Sequence, residues 1–538
     1  GGRGRPAGVR RLAEVNHGYP DPPLVLNLTR APAAGALTLG QVRASQAAHG
    51  VAVFETRRVG GTWQVVRPSA YARRITGNTP CRISGPAAGA PLMRTAADPA
   101  GTEVLGTLNN CAHGSTPWGT YLTCEENWNG YFGAVGAFTP NSLEARYGVS
   151  AGGFGYRWHE VDSRFDLNQN RNEPNRFGWV VEIDPFDPTS KPVKRTALGR
   201  FKHESAMVVV GADNTVAVYS GDDERNDYVY KFVASAKYQP NNRAANRDLL
   251  DAGTLYVAKF NADGTGTWIP LVHGQNGLTA ANGFADQAEV LIKTRQAADR
   301  VDATEMDRPE WIAAHPVTRE IYLTLTNNNR RGTTPASVNA TAGTSTAGSA
   351  RPPVDAANPR NDNRYGHIIR WRETGGDVAA TTFEWDIYVL AGDRTKTSAN
   401  LQGNVNGDDF GAPDGLWFDR DGRLWIQTDQ QGDATGDWNV IGGNSLLASD
   451  PSTREVRRFM TSPPNCEVTG ITGTPDGRTL FVGIQHPGED WSGSFTSKSS
   501  WPDNGQNGPT TLSGAAPVKP RSATLVITRN DGGKVGSI

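Results

Sequence analysis

Seven times between residues 177 and 533, a short run of β-branched and aromatic residues leads into a turn of Asp, Gly, Asn or Pro and then into another run. "SAMVVVGADNTVAVYS" (205–220), "DGLWFDRDGRLWIQTD" (414–429) and "TGITGTPDGRTLFVGIQ" (469–485) show the pattern. Their turn centres, Ala212-Asp213-Asn214, Asp421-Gly422 and Asp476-Gly477, tolerate positive φ. Such strand pairs, recurring loosely every ~40–60 residues, are how a β-propeller reads in sequence. The expectation is therefore an all-β chain, a six-bladed β-propeller with a few inserted helices and long loops. A pair of sandwiches is the competing architecture. The 62 Gly and 34 Pro, and 14 Trp against 4 Met, agree with turn-dense sheets.

Two segments break the pattern. Ala288, Leu291, Ile292 and Ala298 in "ADQAEVLIKTRQAADRV" (285–301) are spaced as on one face of a helix. The stretch 330–363 is rich in Thr, Ala, Ser, Gly and Pro, and reads as a low-complexity surface insertion that the fold does not need. Residues 1–70 read as an N-terminal extension to a single propeller domain spanning 1–538.

With 54 Lys+Arg against 55 Asp+Glu, the formal net charge is −1, which argues against a broad footprint for nucleic acid or anionic membrane. No run of ~18 apolar residues suggests a transmembrane helix. The opening "GGRGRPAGVRRLAEVNHGYP" contains no hydrophobic signal core, so any export signal is expected to lie outside this sequence. Four cysteines, Cys81, Cys111, Cys124 and Cys466, permit two disulfides, but their spacing fixes no pairing.

Carboxylates recur where strands meet loops: Cys124-Glu125-Glu126, His203-Glu204, Asp222-Asp223, Asp307 with Glu310, Asp414, Asp429 and Cys466-Glu467. In a propeller the inner strands line one central channel, so acids distant in sequence can meet there. Without cations they would repel one another in a desolvated space, and bound cations are the remedy. Oxygen-only sets suit calcium, whereas a thiolate suits a softer metal such as iron or zinc. Each residue also has a plain alternative, an inert buried thiol for Cys124 or a solvated turn cap for a single acid. His203 reads as a structural histidine, and His486 stays open between structure and ligand. No zinc-type histidine motif, P-loop, dinucleotide-binding loop or G-x-S-x-G elbow stands out.

The segments "NNCAHGSTPWGTYLTCEENWNGYF", "GRFKHESAMVVV", "YSGDDERNDYVYKFV", "DRPEWIAAHP", "NRYGHIIRW", "PDGLWFDRDGRLWIQTD" and "NCEVTGITGTPDGRTLFVGIQHPGE" occur in this order. Together they closely resemble the PhoX-type bacterial alkaline phosphatases over roughly residues 75–530. The resemblance implies a six-bladed propeller, export to the periplasm or beyond by the twin-arginine route, and hydrolysis of phosphate monoesters during phosphate acquisition. It also implies an oxo-bridged cluster of Fe3+ and Ca2+ in the propeller mouth. Carried onto this chain, it makes Cys124 the iron thiolate and Glu204 and Glu310 cluster carboxylates. Glu125, Asp222, Asp414, Asp429 and Glu467 become further iron or calcium ligands, and Arg308 the residue that reaches the substrate phosphate.

On that resemblance the expected reaction is attack of a metal-held oxygen on phosphorus, with small-molecule phosphate monoesters as substrates and a monomeric protein without a nucleic-acid partner. A calcium-dependent propeller hydrolase of another class, a lactonase or phosphodiesterase, is the first alternative. A non-catalytic propeller binding module is the second.

Overall fold

The computed structural model describes residues 10–20, 25–26, 32–430, 435–489, 497–503 and 519–536. Strands dominate, in sheets of four, six, nine, five and three strands, almost all antiparallel. The sequence expectation of a mostly β, propeller-type chain is met, and helices are few and short.

The innermost strands of successive sheets pack side by side. Arg10–His17 packs on Asn110–Ser115, which packs on His203–Val210; Pro309–Ala314, Pro413–Phe418 and Glu467–Gly473 follow in turn. Close approach at this hub requires glycine. A Cβ on Gly114 would lie 1.9 Å from the Ala206 carbonyl oxygen, and one on Gly221 would lie 2.5 Å from that of Pro309. The nine-stranded sheet joins two such units edge to edge, where Thr265–Pro270 pairs with Thr382–Leu390.

Apolar layers fill the spaces between neighbouring sheets. Leu122, Val180, Phe201, Val218 and Phe232 belong to the largest layer, and Tyr219, Trp268, Trp371 and Phe383 to another. Burying side chains of this size stabilises by roughly 1.5–3 kcal/mol each.

The segment predicted as one helix over 285–301 forms two, Gln287–Ile292 and Thr294–Arg300, interrupted at Lys293. Ala288, Leu291, Ile292 and Ala298 are buried as their spacing requires. The stretch 330–363 is held in place at several points: Arg331 ion-pairs with Asp307 at 2.8 Å, and Asn358 Oδ1 accepts from the Asp307 N–H at 3.0 Å. Arg and Asn side chains supply these bonds, and no hydrophobic pattern announces them. Arg10–His17, Gly50–Val59 and Thr62–Val65, within the 1–70 segment read from sequence as an extension, form a four-stranded sheet with Arg73–Ile75 beside the hub.

Candidate metal centre

Four of the inner strands deliver a polar side chain to the hub by the same backbone device. Asn109, Arg308, Ala412 and Asn465 adopt φ of 49°, 57°, 48° and 47°, each two residues before Cys111, Glu310, Asp414 and Glu467. A non-glycine residue in this region costs ~1–2 kcal/mol, so surrounding contacts must hold it there. The strand register then slips between Asn110 and His113, Glu204 and Met207, Pro309 and Ile312, and Pro413 and Leu416. Such bulges re-aim a side chain out of the regular pleat.

A second position accompanies the first in each unit. The carbonyl two residues before the inner ligand accepts an N–H from the chain leaving the next strand: Glu126 to Asn109 (3.0 Å), Asp223 to Lys202 (3.0 Å), Thr326 to Arg308 (3.2 Å) and Asp429 to Ala412 (3.0 Å). The bond pairs Cys111 with Glu126, Glu204 with Asp223, and Asp414 with Asp429. Acids far apart in the chain therefore arrive at one place.

Two sets of candidate ligand atoms converge within 4.8 Å of one another: Cys111, Glu126 and Glu204, and Glu204, Glu310 and Asp414. Glu204 is common to both. Burial and the charges of Glu126 and Asp414 hold the Glu204 carboxyl well above its usual range. Burial and Asp223 do the same to Glu126 and Glu310, and burial with Asp429 raises Glu467. Asp414 is pushed up to about 7 by burial and the Asp429 charge. The Cys111 thiol is raised by burial and by Glu204 and Glu126. Desolvated like charges explain every one of these shifts. Asp223 moves down despite its burial, because the Arg308 guanidinium closes on both its oxygens at 2.8 Å.

The donor set fits cations. Glu204 Oε2 is buried without a hydrogen-bond partner, whereas buried polar atoms in folded proteins are generally paired. The oxygens suit hard cations, and the thiol of Cys111 suits a softer one.

The structure brings Glu204, Glu310 and Asp414 together. Asp429 and Glu467 lie beside them, within electrostatic reach of Asp414. Arg308 stands at the edge, 2.9 Å from Glu310. Three expected ligands lie elsewhere. Cys124 points into the apolar layer with Leu122, Val180 and Ala206. Glu125 is consumed by Lys194 at 2.7 Å and by the N–H groups of Gly178 and Trp179. Asp222 is consumed by Arg295, at 2.5 and 2.8 Å. Cys111 and Glu126 stand in the converging set instead, Asp223 is held by Arg308, and strand alternation turns Glu125 and Asp222 to the face opposite their neighbours Glu126 and Asp223. Their signal in the sequence is position: each acid directly follows the strand's last residue. His203 is structural, bonded to Ser220 Oγ and the Gly199 carbonyl. All four cysteines are free thiols.

A family model described as alkaline phosphatase PhoX matches residues 6–488. The solved structure of Pseudomonas fluorescens PhoX in complex with vanadate, a transition state analogue, is 48% identical, with a TM-score of 0.89 over 99% of this chain and 88% of that one. The gluconolactonase PpgL of Pseudomonas aeruginosa is 11% identical over 88% of this chain and 95% of its own, and its TM-score of 0.27 is too low to carry an argument. A comparison with curated proteins finds no match. The chain belongs to the PhoX family of alkaline phosphatases and is a phosphoric monoester hydrolase.

Proposed function

We propose that the hub acids hold iron and calcium, and that phosphate monoesters are hydrolysed in the mouth above them. The observation that carries this reading is the shared position of Glu204 in two ligand sets, one of which contains a thiol. Cys111, Glu126 and Glu204 would hold the softer ion, and Glu310, Asp414, Asp429 and Glu467 the harder ones. When bound, such ions neutralise phosphoryl oxygens and lower the pKa of nearby water. The vanadate held by the Pseudomonas fluorescens relative, a phosphoryl-transfer mimic, supports the same chemistry here.

The chain's own contribution is positioning. Arg308 presents a planar fork matched to two phosphate oxygens, a role a lysine would fill less well. Asp223 fixes the orientation of that fork, with both carboxylate oxygens on its Nε and Nη2 edge. The remaining edge, Nη1, lies 3.5 Å from Asn327 Oδ1. Hydrolysis forms a bond from water oxygen to phosphorus and breaks the ester O–P bond, and the alkoxide leaves with a proton from water.

We further read the architecture as six blades. The nine-stranded sheet counts as two, and the sheet of residues 10–75 closes the ring, with Trp63 donating to Thr479 Oγ1 at 3.2 Å across the junction. On this reading the chain is one domain, exported to the periplasm or beyond, and monomeric. No helix among the described residues is long and apolar enough to cross a membrane.

The test is turnover of p-nitrophenyl phosphate, its bis ester and a lactone by the metal-replete protein, paired with anomalous scattering at the iron edge. Hydrolysis of the monoester, lost on chelation, with iron beside Cys111, is the expected result. Preference for the lactone or the diester, or a mouth free of iron in the replete protein, would sink the reading.

A further inference from the structure

Arg225 and Arg330 lie on the loops that follow two adjacent second strands, Val216–Asp222 and Ile321–Leu325, beside the Arg308 segment. The backbone of Arg225 bridges Asp307, the residue before Arg308. Arg330 donates its N–H to Asn328 Oδ1 at 2.9 Å, and Asn328 Nδ2 donates to Asp307 at 2.9 Å and to Asn226 at 2.8 Å. Buried Asn226, Asp307, Asn328 and Arg331 thus lock both loops to the base of the Arg308 segment.

Neither guanidinium has a carboxylate partner among the described residues, although acids surround them. Glu224 is taken by Lys202 at 2.9 Å, Asp223 by Arg308 at 2.8 Å and Asp307 by Arg331 at 2.8 Å. Arg225 Nε is buried without any hydrogen-bond partner. Both side chains are half-buried. Burial, then the like charges of Arg308 and Arg330, hold Arg225 below its ordinary range. Half-buried, unpaired like charges are costly, and a fold retains them where an anion relieves the cost.

We propose that Arg225 and Arg330 form a second anion subsite beside Arg308, which favours phosphate monoesters whose alcohol part carries a further anionic group, such as a carboxylate. The inference rests on the phosphatase reading of the mouth. Arg308 takes the phosphoryl group under attack, and the two flanking forks take the second anion through charge-assisted hydrogen bonds. Arg225 and Arg330, which have no carboxylate partner among the described residues, gain an anionic one when a doubly anionic ester binds.

The experiment compares kcat/KM for 3-phosphoglycerate and glycerol 3-phosphate in the metal-replete wild type and in Arg225→Gln, Arg330→Gln and Arg225→Lys. The ratio of 3-phosphoglycerate to glycerol 3-phosphate is expected to fall about tenfold in each Gln variant and to recover in part with Lys. A readout on the wild type alone guards against variants that fail to fold: raising NaCl should depress 3-phosphoglycerate turnover more steeply than glycerol 3-phosphate turnover. Turnover of both esters with equal salt slopes, or with a ratio the Gln variants leave unmoved, overturns the subsite and spares the phosphatase reading. No turnover of either ester by the wild type overturns both.

Discussion

The guanidinium of Arg308 grips Asp223 through two bonds of 2.8 Å and still reaches Glu310 at 2.9 Å. One side chain therefore ties Asp223 to the hub acid Glu310. The φ of 57° at Arg308, unfavourable in itself, is what aims the fork.

Replacing Asp223 by Asn keeps the shape and removes the charge that orients the fork. Arg308→Ala should lower kcat/KM for p-nitrophenyl phosphate by about 100-fold, and Asp223→Asn by roughly tenfold. Steady-state kinetics on metal-replete protein decides, and unchanged kinetics in Arg308→Ala would remove that residue from the site.

The two thiols give opposite expectations. Cys111→Ser should lose iron, measured by metal analysis, while Cys124→Ser should retain it and lose stability. Placing a hydroxyl in the apolar layer around Cys124 without a partner costs about 1–3 kcal/mol. Iron retained by Cys111→Ser and lost by Cys124→Ser would reverse the assignment.

Removing metal exposes the electrostatic cost of the hub. Asp414 rises to about 7, and Glu204, Glu126, Glu310 and Glu467 rise as well. Folded carboxyls with raised pKa bind more protons than unfolded ones. Their stabilising contribution is present at low pH and is lost as pH climbs through the folded values. Chelator-stripped protein should melt about 5 °C or more lower at pH 8 than at pH 5.5, with added calcium and iron restoring the loss. Calorimetry showing higher apoprotein stability at pH 8 would contradict this.

Lys194 neutralises Glu125 where both are fully buried, and its ammonium also donates to the Arg176 carbonyl. Lys194→Met leaves a buried carboxylate unpaired and should destabilise by about 3–5 kcal/mol. The double variant Lys194→Met/Glu125→Gln should recover much of that. Chemical denaturation of both variants measures it, and a single variant as stable as wild type would show the pair to be dispensable.

The mostly β, propeller-type fold was legible because strand alternation and Asp-Gly turns are local signals. The positions of Glu204, Glu310 and Asp414, each near the start of an inner strand, were readable for the same reason, and the structure brings them together. Where the structure departs from the expected set, the difference is between close alternatives: Cys111 rather than Cys124, and Glu126 rather than Glu125, stand among the converging ligand atoms. Adjacent residues on a strand face opposite sides, so one position separates Glu126 at the hub from Glu125 on Lys194, and Asp223 on Arg308 from Asp222 on Arg295. No local pattern states which cation waits on the outer side. The anchoring of the stretch 330–363 was hidden for a related reason: its bonds to Asp307 run through Asn and Arg side chains rather than through an apolar face.

Composition and periodicity by themselves dictated sheets, turns and acids at strand ends, since each depends on neighbours a few positions away. Which acid of a doublet turned inward, which thiol joined it and which arginines were left unpaired depended on bulges and on counter-charges from distant strands. Long-range electrostatics in a desolvated hub made those choices, and only the closed packing of the sheets brought the charges close enough to make them.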